Sequence, residues 1–306
     1  MPTIKRIAIL GAGAMGGAYA AMLDTVSEFE TMFVARGTRA ERLAQGGLVV
    51  NGQKLLLPVV GPDEAPSPAD LIIVALKHHH LADALPDLAP LVGDRTTIIS
   101  IMNGLESEEV IGVRYGREKM LLAISVGIDA VREGNRMTYS NPGKLLFGEP
   151  SNTEISPRVL RVQKAFERAG IPHETPADMV RTLWWKFMIN VGMNQASAVM
   201  RAPYGIFQTS DEARALMATL MEEVITLAQA SNVNLAANDI ANWLEILQTL
   251  SPAGKTSMLQ DVEAGRPTEV DIFAGKMVAL GRKLGIPTPV NAALLNIIRV
   301  LEAHRV

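Results

Sequence analysis

The chain of 306 residues contains no cysteine, which excludes disulfides, thiolate nucleophiles and every metal site built on sulfur. Aromatic residues are sparse at 5% of the chain, and two of its three tryptophans, Trp184 and Trp185, are adjacent. A formal net charge of −3 leaves no excess of either sign. The charge balance therefore gives no reason to expect nucleic acid or an anionic membrane as partner. No apolar run approaches the roughly 20 residues needed to cross a bilayer. The N-terminus leads directly into a strand-like segment and lacks a signal peptide's small-residue cleavage region. A cytoplasmic protein is expected. The hydrophobic fraction of 48% and charged fraction of 20% are those of a soluble globular enzyme, and the length allows two domains, each with its own core.

The amino-terminal half alternates strands and helices. Residues 4–10 are β-branched and aliphatic, and they run into Gly11-Ala12-Gly13-Ala14-Met15-Gly16, followed by a helix-like segment over 17–26. A strand, a G-x-G-x-x-G turn and a helix form the dinucleotide-binding arrangement. Gly11 permits the tight turn, Gly13 lets a pyrophosphate approach the backbone, and Gly16 lets helix and strand pack closely. The phosphates then face the positive end of the helix dipole at Ala14 and Met15. The second strand, residues 31–35, is followed by Arg36-Gly37-Thr38-Arg39, with no carboxylate before Glu41. An NAD site usually presents an acid there to the ribose 2′-hydroxyl. Arg36 and Arg39 are instead placed to meet a 2′-phosphate, which predicts NADP(H); solvated arginines at a helix start would read the same way.

Further strands are predicted over 54–60, 70–76 and 96–101, the last two ending at Lys77 and at Met102-Asn103-Gly104. Ligands of an open parallel sheet bind beyond the carboxyl ends of its strands, so Lys77 and Asn103 are candidates for the nicotinamide end of the site. A surface lysine and a plain Asn-Gly turn are the alternatives. His78-His79-His80 looks like a metal site, but consecutive residues diverge by about 100° on a helix and alternate faces on a strand. No metal is expected. Glu133-Gly134-Asn135 signals a hairpin, and its strands, with another over 144–147, are expected to extend the parallel sheet. An amphipathic helix is predicted over 156–170.

From Thr175 the alternation stops and the pattern becomes helical, which sets the domains at 1–174 and 175–306. Thr175-Pro176-Ala177-Asp178 resembles a capping box, opening a long helix to about Arg201. In it Lys186, Asn190 and Asn194 recur every four residues in otherwise apolar surroundings. That step drifts by only about 40° on an α-helix, so the three share a face. A solvated stripe and a stripe lining a cleft fit equally well. Helices follow over 211–230, 237–250, 255–264, 268–284 and 289–303. Glu269, at the start of one of them, is favourable there simply as a dipole partner.

Together these motifs resemble the ketopantoate reductase (2-dehydropantoate 2-reductase) family. The resemblance runs from the Gly11–Gly16 loop through Leu76-Lys77, Asn103-Gly104 and the Lys186/Asn190/Asn194 row. It continues with Ser257-Met258-Leu259-Gln260-Asp261 and Thr268-Glu269-Val270-Asp271. It implies an α/β fold, with a Rossmann-type N-terminal domain for NADP and an all-α C-terminal domain for catalysis. It further implies Lys186 as general acid, Glu269 as its partner, Asn190, Asn194 and Ser257 on the substrate, and Asn103 and Lys77 beside the nicotinamide. A lysine ammonium can stabilise and protonate the oxygen of a ketone under hydride attack, and a nearby Glu269 would oppose the loss of its charge on burial. The implied partner is a small-molecule 2-oxo acid, and homo-oligomer formation stays open. Tyr204 and Gly254 stand where the family pattern has asparagines, both on the substrate side. Two alternatives therefore accompany ketopantoate: another branched 2-oxo acid, or a non-catalytic NADPH-binding sensor on the same fold.

Overall fold

The computed structural model describes residues 3–64 and 67–304. Two compact units result, Met1–Met102 with Glu106–Val180, and Asn103–Leu105 with Arg181–Val306. In chain order the first unit contains β1 (Arg6–Leu10), α1 (Ala14–Asp24), β2 (Glu30–Val34), α2 (Gly37–Gly46), β3 (Leu48–Val50), β4 (Gln53–Leu55), β5 (Val59–Val60) and β6 (Leu71–Val74). Next come α3 (Leu81–Ala84), β7 (Thr97–Ser100), α4 (Ser107–Tyr115), β8 (Met120–Val126), β9 (Val131–Glu133) and β10 (Arg136–Thr138). β11 (Lys144–Gly148), α5 (Pro157–Arg168) and β12 (His173–Glu174) complete it.

The main sheet runs β12-β11-β8-β7-β6-β1-β2-β5 and is parallel except where β11 meets β8. Its central strands read as unbroken apolar runs because both faces are covered. Ile7, Ile9, Leu71 and Ile73 pack with Tyr19 and Leu23 of α1 and Val162 and Phe166 of α5. Ala8, Leu10, Ile72 and Val74 pack on Leu81, Leu85, Leu88 and Ile111. Strand order reverses between β1 and β6, the position where such sheets bind ligands. Leu10 lies opposite both Val34 and Val74, so the loops leaving β1, β2 and β6 share one edge.

Two expectations for this unit fail locally. The hairpin at Glu133-Gly134-Asn135 forms, but its strands do not extend the parallel sheet. They join a separate sheet of order β4-β3-β10-β9, seated on α1, where the sulfur of Met137 occupies the position that a β-carbon on Gly17 would take. A small residue on the outer face of α1 thus makes room for a second layer. Nor does the long helix open at Pro176, directly after Thr175. The Asn152 side-chain amide donates to Pro176 O at 2.8 Å and Glu149 O at 2.9 Å, and its backbone N–H donates to Ala177 O at 2.8 Å. Ser151 bridges to Asp178. These bonds hold the segment extended, and α6 (Met179–Ile189) begins after it.

The second unit is helical. After α6 a π turn over Asn190–Asn194 interrupts the helix before α7 (Gln195–Met200). α8 (Tyr204–Thr209), α9 (Asp211–Ala230), α10 (Ala237–Thr249) and α11 (Ser257–Glu263) follow. A second π turn over Asp271–Gly275 leads into α12 (Lys276–Leu284), and α13 (Pro289–Ala303) closes the unit. Phe187, Val191, Leu220, Val224, Phe273, Leu294 and Ile298 share one core. The helix expected over 268–284 therefore starts late and widened. Among the described residues no helix is long and apolar enough to cross a membrane.

Asn152→Ala removes three side-chain hydrogen bonds to Glu149 and Pro176. At about 0.5–1.5 kcal/mol each, with a buried acceptor left bare, the loss should reach about 2–4 kcal/mol in urea denaturation. An unchanged midpoint would mean that the backbone bonds alone hold the strap ahead of α6.

Candidate active site

The glycine-rich loop is shaped from within the first unit. Gly11 has φ +112°, a region that side chains rarely adopt, and its Cα faces the Ala75 carbonyl at the end of β6. Gly16 packs against the Gly11 carbonyl so closely that no side chain would fit. Gly13 differs from both, because open space lies where its β-carbon would be. The protein itself places nothing against it. α1 also starts with neither a side-chain cap on its first N–H groups nor an acid in its first turn. A loop open at Gly13 and an uncapped helix start at Ala14 and Met15 fit a dinucleotide pyrophosphate.

Around this loop the sequence-predicted residues are distributed unevenly. Lys77 is half-buried just beyond β6, where the Ala75 carbonyl meets the loop. Arg36 lies at the end of β2 with its guanidinium engaged, donating to Asp83 O at 2.8 Å and lying 3.3 Å from the Asp87 carboxylate. The Asp87 side chain is only 5% exposed; burial raises its pKa, and Arg36 partly opposes the rise. His78, His79 and His80 form a short 3-10 turn in which the last two rings meet edge to face at 4.2 Å.

Within the second unit the predicted residues converge. The Asn103 side-chain amide donates to Glu269 Oε2 at 2.9 Å. Asn190 donates to Asn103 Oδ1 at 3.3 Å, and Asn194 to Asn190 Oδ1 at 3.5 Å. Glu269, Asn190 and Asn194 are all buried. The Asn103-Gly104 turn is laid on the second π turn, with the Ile272 side chain 3.3 Å from where a β-carbon on Gly104 would be. Lys186 precedes Asn190 by one helical turn and is half-buried, and burial alone pushes its ammonium down to about 8. The offset expected from Glu269 is not part of that balance. Ser257 begins α11, which Thr256 fixes by capping Leu259 N at 3.1 Å and donating to Ser197 Oγ of α7 at 3.2 Å.

Sequence reasoning missed the two π turns. The step from Asn190 to Asn194 falls within the first of them, not within a regular α turn. The Asn190 and Asn194 side chains nevertheless stay within hydrogen-bond reach, at 3.5 Å. Gln195 also went unnoticed: its amide donates to Val191 O at 2.8 Å and Asn291 Oδ1 at 3.0 Å, supporting the interrupted helix. A glutamine next to the second asparagine was the only available signal, and it is a faint one.

Comparison with known proteins follows the same division. Residues 7–152 match the family model described as Ketopantoate reductase PanE/ApbA, and residues 178–302 match its C-terminal counterpart. A 2-dehydropantoate 2-reductase of Mesorhizobium japonicum is 29% identical, with 98% of each chain covered. A crystal structure of 2-dehydropantoate 2-reductase from Geobacter metallireducens superposes with TM-score 0.84 at 28% identity, covering 96% of this chain and 99% of that one. A D-mandelate dehydrogenase solved with NADH and anilino(oxo)acetate has TM-score 0.87 at 22% identity, over 97% and 98% of the two chains, and shares the fold.

The two departures from the family pattern touch each other. Tyr204 N donates to Gly254 O at 2.9 Å, and a β-carbon on Gly254 would lie 2.8 Å from Tyr204 Cδ2. The tyrosine ring fills the space that glycine leaves, and burial raises its hydroxyl pKa. Gly254→Asn should therefore cost about 1–3 kcal/mol by overpacking. The Tyr204→Asn/Gly254→Asn double variant should recover most of that. A double-mutant cycle in denaturant measures the coupling, and strict additivity would show that the ring yields without strain.

Proposed function

The chain belongs to the ketopantoate reductase family, matched by both halves of the family pattern, and from that premise we propose that it reduces 2-dehydropantoate to pantoate with NADPH, Lys186 supplying the proton. It is an oxidoreductase of the nicotinamide class. The observation that carries the finer reading is the bonded row Glu269–Asn103–Asn190–Asn194, whose last two members continue the helix that bears Lys186. A sensor has no use for a proton donor beside such a row. The open loop at Gly13 and the uncapped start of α1 support the cofactor. The arginines after β2, with no carboxylate among residues 36–40, favour the 2′-phosphorylated form.

The reduced nicotinamide supplies a hydride, which is chemistry of the cofactor rather than of the chain. The rest falls to side chains. As the ketone carbon accepts the hydride, its oxygen gathers negative charge, and the Lys186 Nζ stabilises that charge and then transfers a proton to it, leaving a hydroxyl. An ammonium at about 8 is largely protonated at neutral pH and still acidic enough to release its proton. Asn190, Asn194 and Ser257 offer amide and hydroxyl groups to the carboxylate and hydroxyl of the substrate. Asn103 ties Glu269 to that row.

One observation favours a second substrate. The Tyr204 ring over Gly254 presents bulk and an apolar face where carboxamides would offer donors and acceptors. Another branched 2-oxo acid, lacking the hydroxyl of ketopantoate, would fit such a wall. A site built to bond a substrate hydroxyl rejects the analogue without it far more strongly than an apolar one does. The kcat/KM ratio for ketopantoate over 2-oxoisovalerate should therefore be modest and should rise in Tyr204→Asn. Strong discrimination in the unmodified protein, unaltered by the substitution, would leave ketopantoate alone as substrate.

Lys186→Ala should lower kcat by about 10²-fold or more while NADPH still binds. In the unmodified protein Lys186 is protonated below about 8 and loses its proton above it. The kcat/KM for reduction should be level on the acid side of that value and fall about tenfold per pH unit on the alkaline side. Near-normal turnover by the alanine variant, or a profile rising through that pH, would remove Lys186 from the mechanism.

A further inference from the structure

α5 buries Val162 and Phe166 in the core of the first unit, and beside that face it carries Arg161, Lys164 and Arg168. Their spacing of three and four residues sets these cations in one row. Ala165 lies among them and is small. Between it, Leu160 and Ile4 the fold leaves a cavity of about 300 Å³, which the three cations also line. Ile4 lies just ahead of β1, so the cavity sits at the amino end of that strand. Gly11 follows the carboxyl end, the side on which such sheets take their ligands. None of the residues lining the cavity belongs to the candidate active site.

The basic face of a surface helix is ordinarily solvated, and Arg161 is not. Its side chain is only 13% exposed, and its Nε and Nη2 are buried without a hydrogen-bond partner. Asp70 Oδ1 stands 3.8 Å from Nη2, too far for a hydrogen bond. The other oxygen of Asp70 is occupied elsewhere, accepting from Lys5 N at 2.9 Å and Arg6 N at 3.0 Å. A buried charge matched so loosely is costly until another anion completes its surroundings. Arg168, by contrast, is engaged. It pairs with Glu28 at 3.0 Å and lies over the Phe29 ring at 4.9 Å. Lys164 is exposed and, among the described residues, forms no ion pair.

We infer that this cavity is a second ligand site, one that takes a small monocarboxylate with an apolar tail. The carboxylate sits between Arg161 and Lys164, and the tail lies along Ile4, Leu160 and Ala165. Charge selects a monoanion: three cations face two carboxylates, Asp70 and Glu28, which leaves one positive charge for the ligand. A phosphate monoester carries about two negative charges and three strong acceptor oxygens, and the apolar wall offers those oxygens no donors. The cavity is at the small end of the roughly 300–1,000 Å³ typical of ligand pockets, which suits a short chain. Asp70 faces Arg161 and also holds the backbone N–H groups of Lys5 and Arg6. An anion beside Arg161 is therefore felt at the start of β1.

The test titrates hexanoate, hexanamide and inorganic phosphate into the full-length protein and follows its backbone amide signals by NMR. Hexanoate should shift the Lys5 and Arg6 amides saturably. Hexanamide, which has the same tail without the charge, and phosphate, which has charge without a tail, should each bind at least about tenfold more weakly. Lys164→Glu, at an exposed position that leaves the fold intact, should weaken hexanoate by about ten- to a hundredfold at those two amides. Arg161→Gln should do the same, and its amide spectrum shows directly whether that variant is folded. Four results would overturn the assignment: no saturable shift at Lys5 and Arg6, shifts confined to the second unit, hexanamide or phosphate binding as tightly as hexanoate, or full hexanoate affinity in Lys164→Glu. Because every readout is binding at the start of β1, the outcome is independent of the reductase reading.

Discussion

A buried carboxylate needs donors, and Glu269 sets the order of the polar residues around it. Asn103 donates to it, which leaves Asn103 Oδ1 as an acceptor for Asn190, and Asn190 Oδ1 in turn as an acceptor for Asn194. One acidic group thus fixes the orientation of three carboxamides in sequence. An isolated asparagine can present either end of its amide, but in this row each Nδ2 is turned toward Glu269 and each Oδ1 away from it. Replacing the acid with an apolar residue would release that constraint at every position.

The row requires unusual backbone. Asn190 and Asn194 occupy one π turn, Glu269 immediately precedes the approach to another, and the two turns pack together in the same unit. Widened turns lose regular i→i+4 bonds, are rare, and are frequent at functional sites. Here the supports are visible. Gln195 bonds the Val191 carbonyl and continues to Asn291, which Glu223 holds at 2.7 Å. Gly192 lets α9 approach closely, its missing side chain replaced by Met221. The apolar packing of α9 and α13 carries the cost of a helix that is locally out of register.

Much of this was legible in the residues, for identifiable reasons. Strands covered on both faces are continuous apolar runs, and the loop glycines have steric duties that only glycine meets, so the dinucleotide unit could be read directly. The recurrence of Lys186, Asn190 and Asn194 exposed the polar face, although an α-helix was assumed where a π turn stands. The failures share one cause, competition from distant segments. The composition of residues 175–178 sets a helix start at Pro176, but Asn152, more than twenty positions earlier, bonds the Pro176 and Ala177 carbonyls, and the helix starts at Met179. The hairpin strands have the composition of sheet extensions, but Met137 finds a seat on Gly17 of α1. Neither partner is signalled locally.

For the proposed role of Lys186 as proton donor, an indirect link to the carboxylate is an advantage. A direct ion pair would hold the ammonium charged and keep its pKa high, which suits binding but weakens a proton donor. Burial without that pairing brings it to about 8, close to the pH at which a general acid both carries its proton and gives it up. Asn103 allows both requirements to be met. It keeps Glu269 satisfied and links the carboxylate to the row, while the lysine, one turn earlier on the helix, takes its acidity from the apolar surroundings. A direct salt bridge would have brought the two charges together at the expense of the acidity that the proposed proton transfer needs.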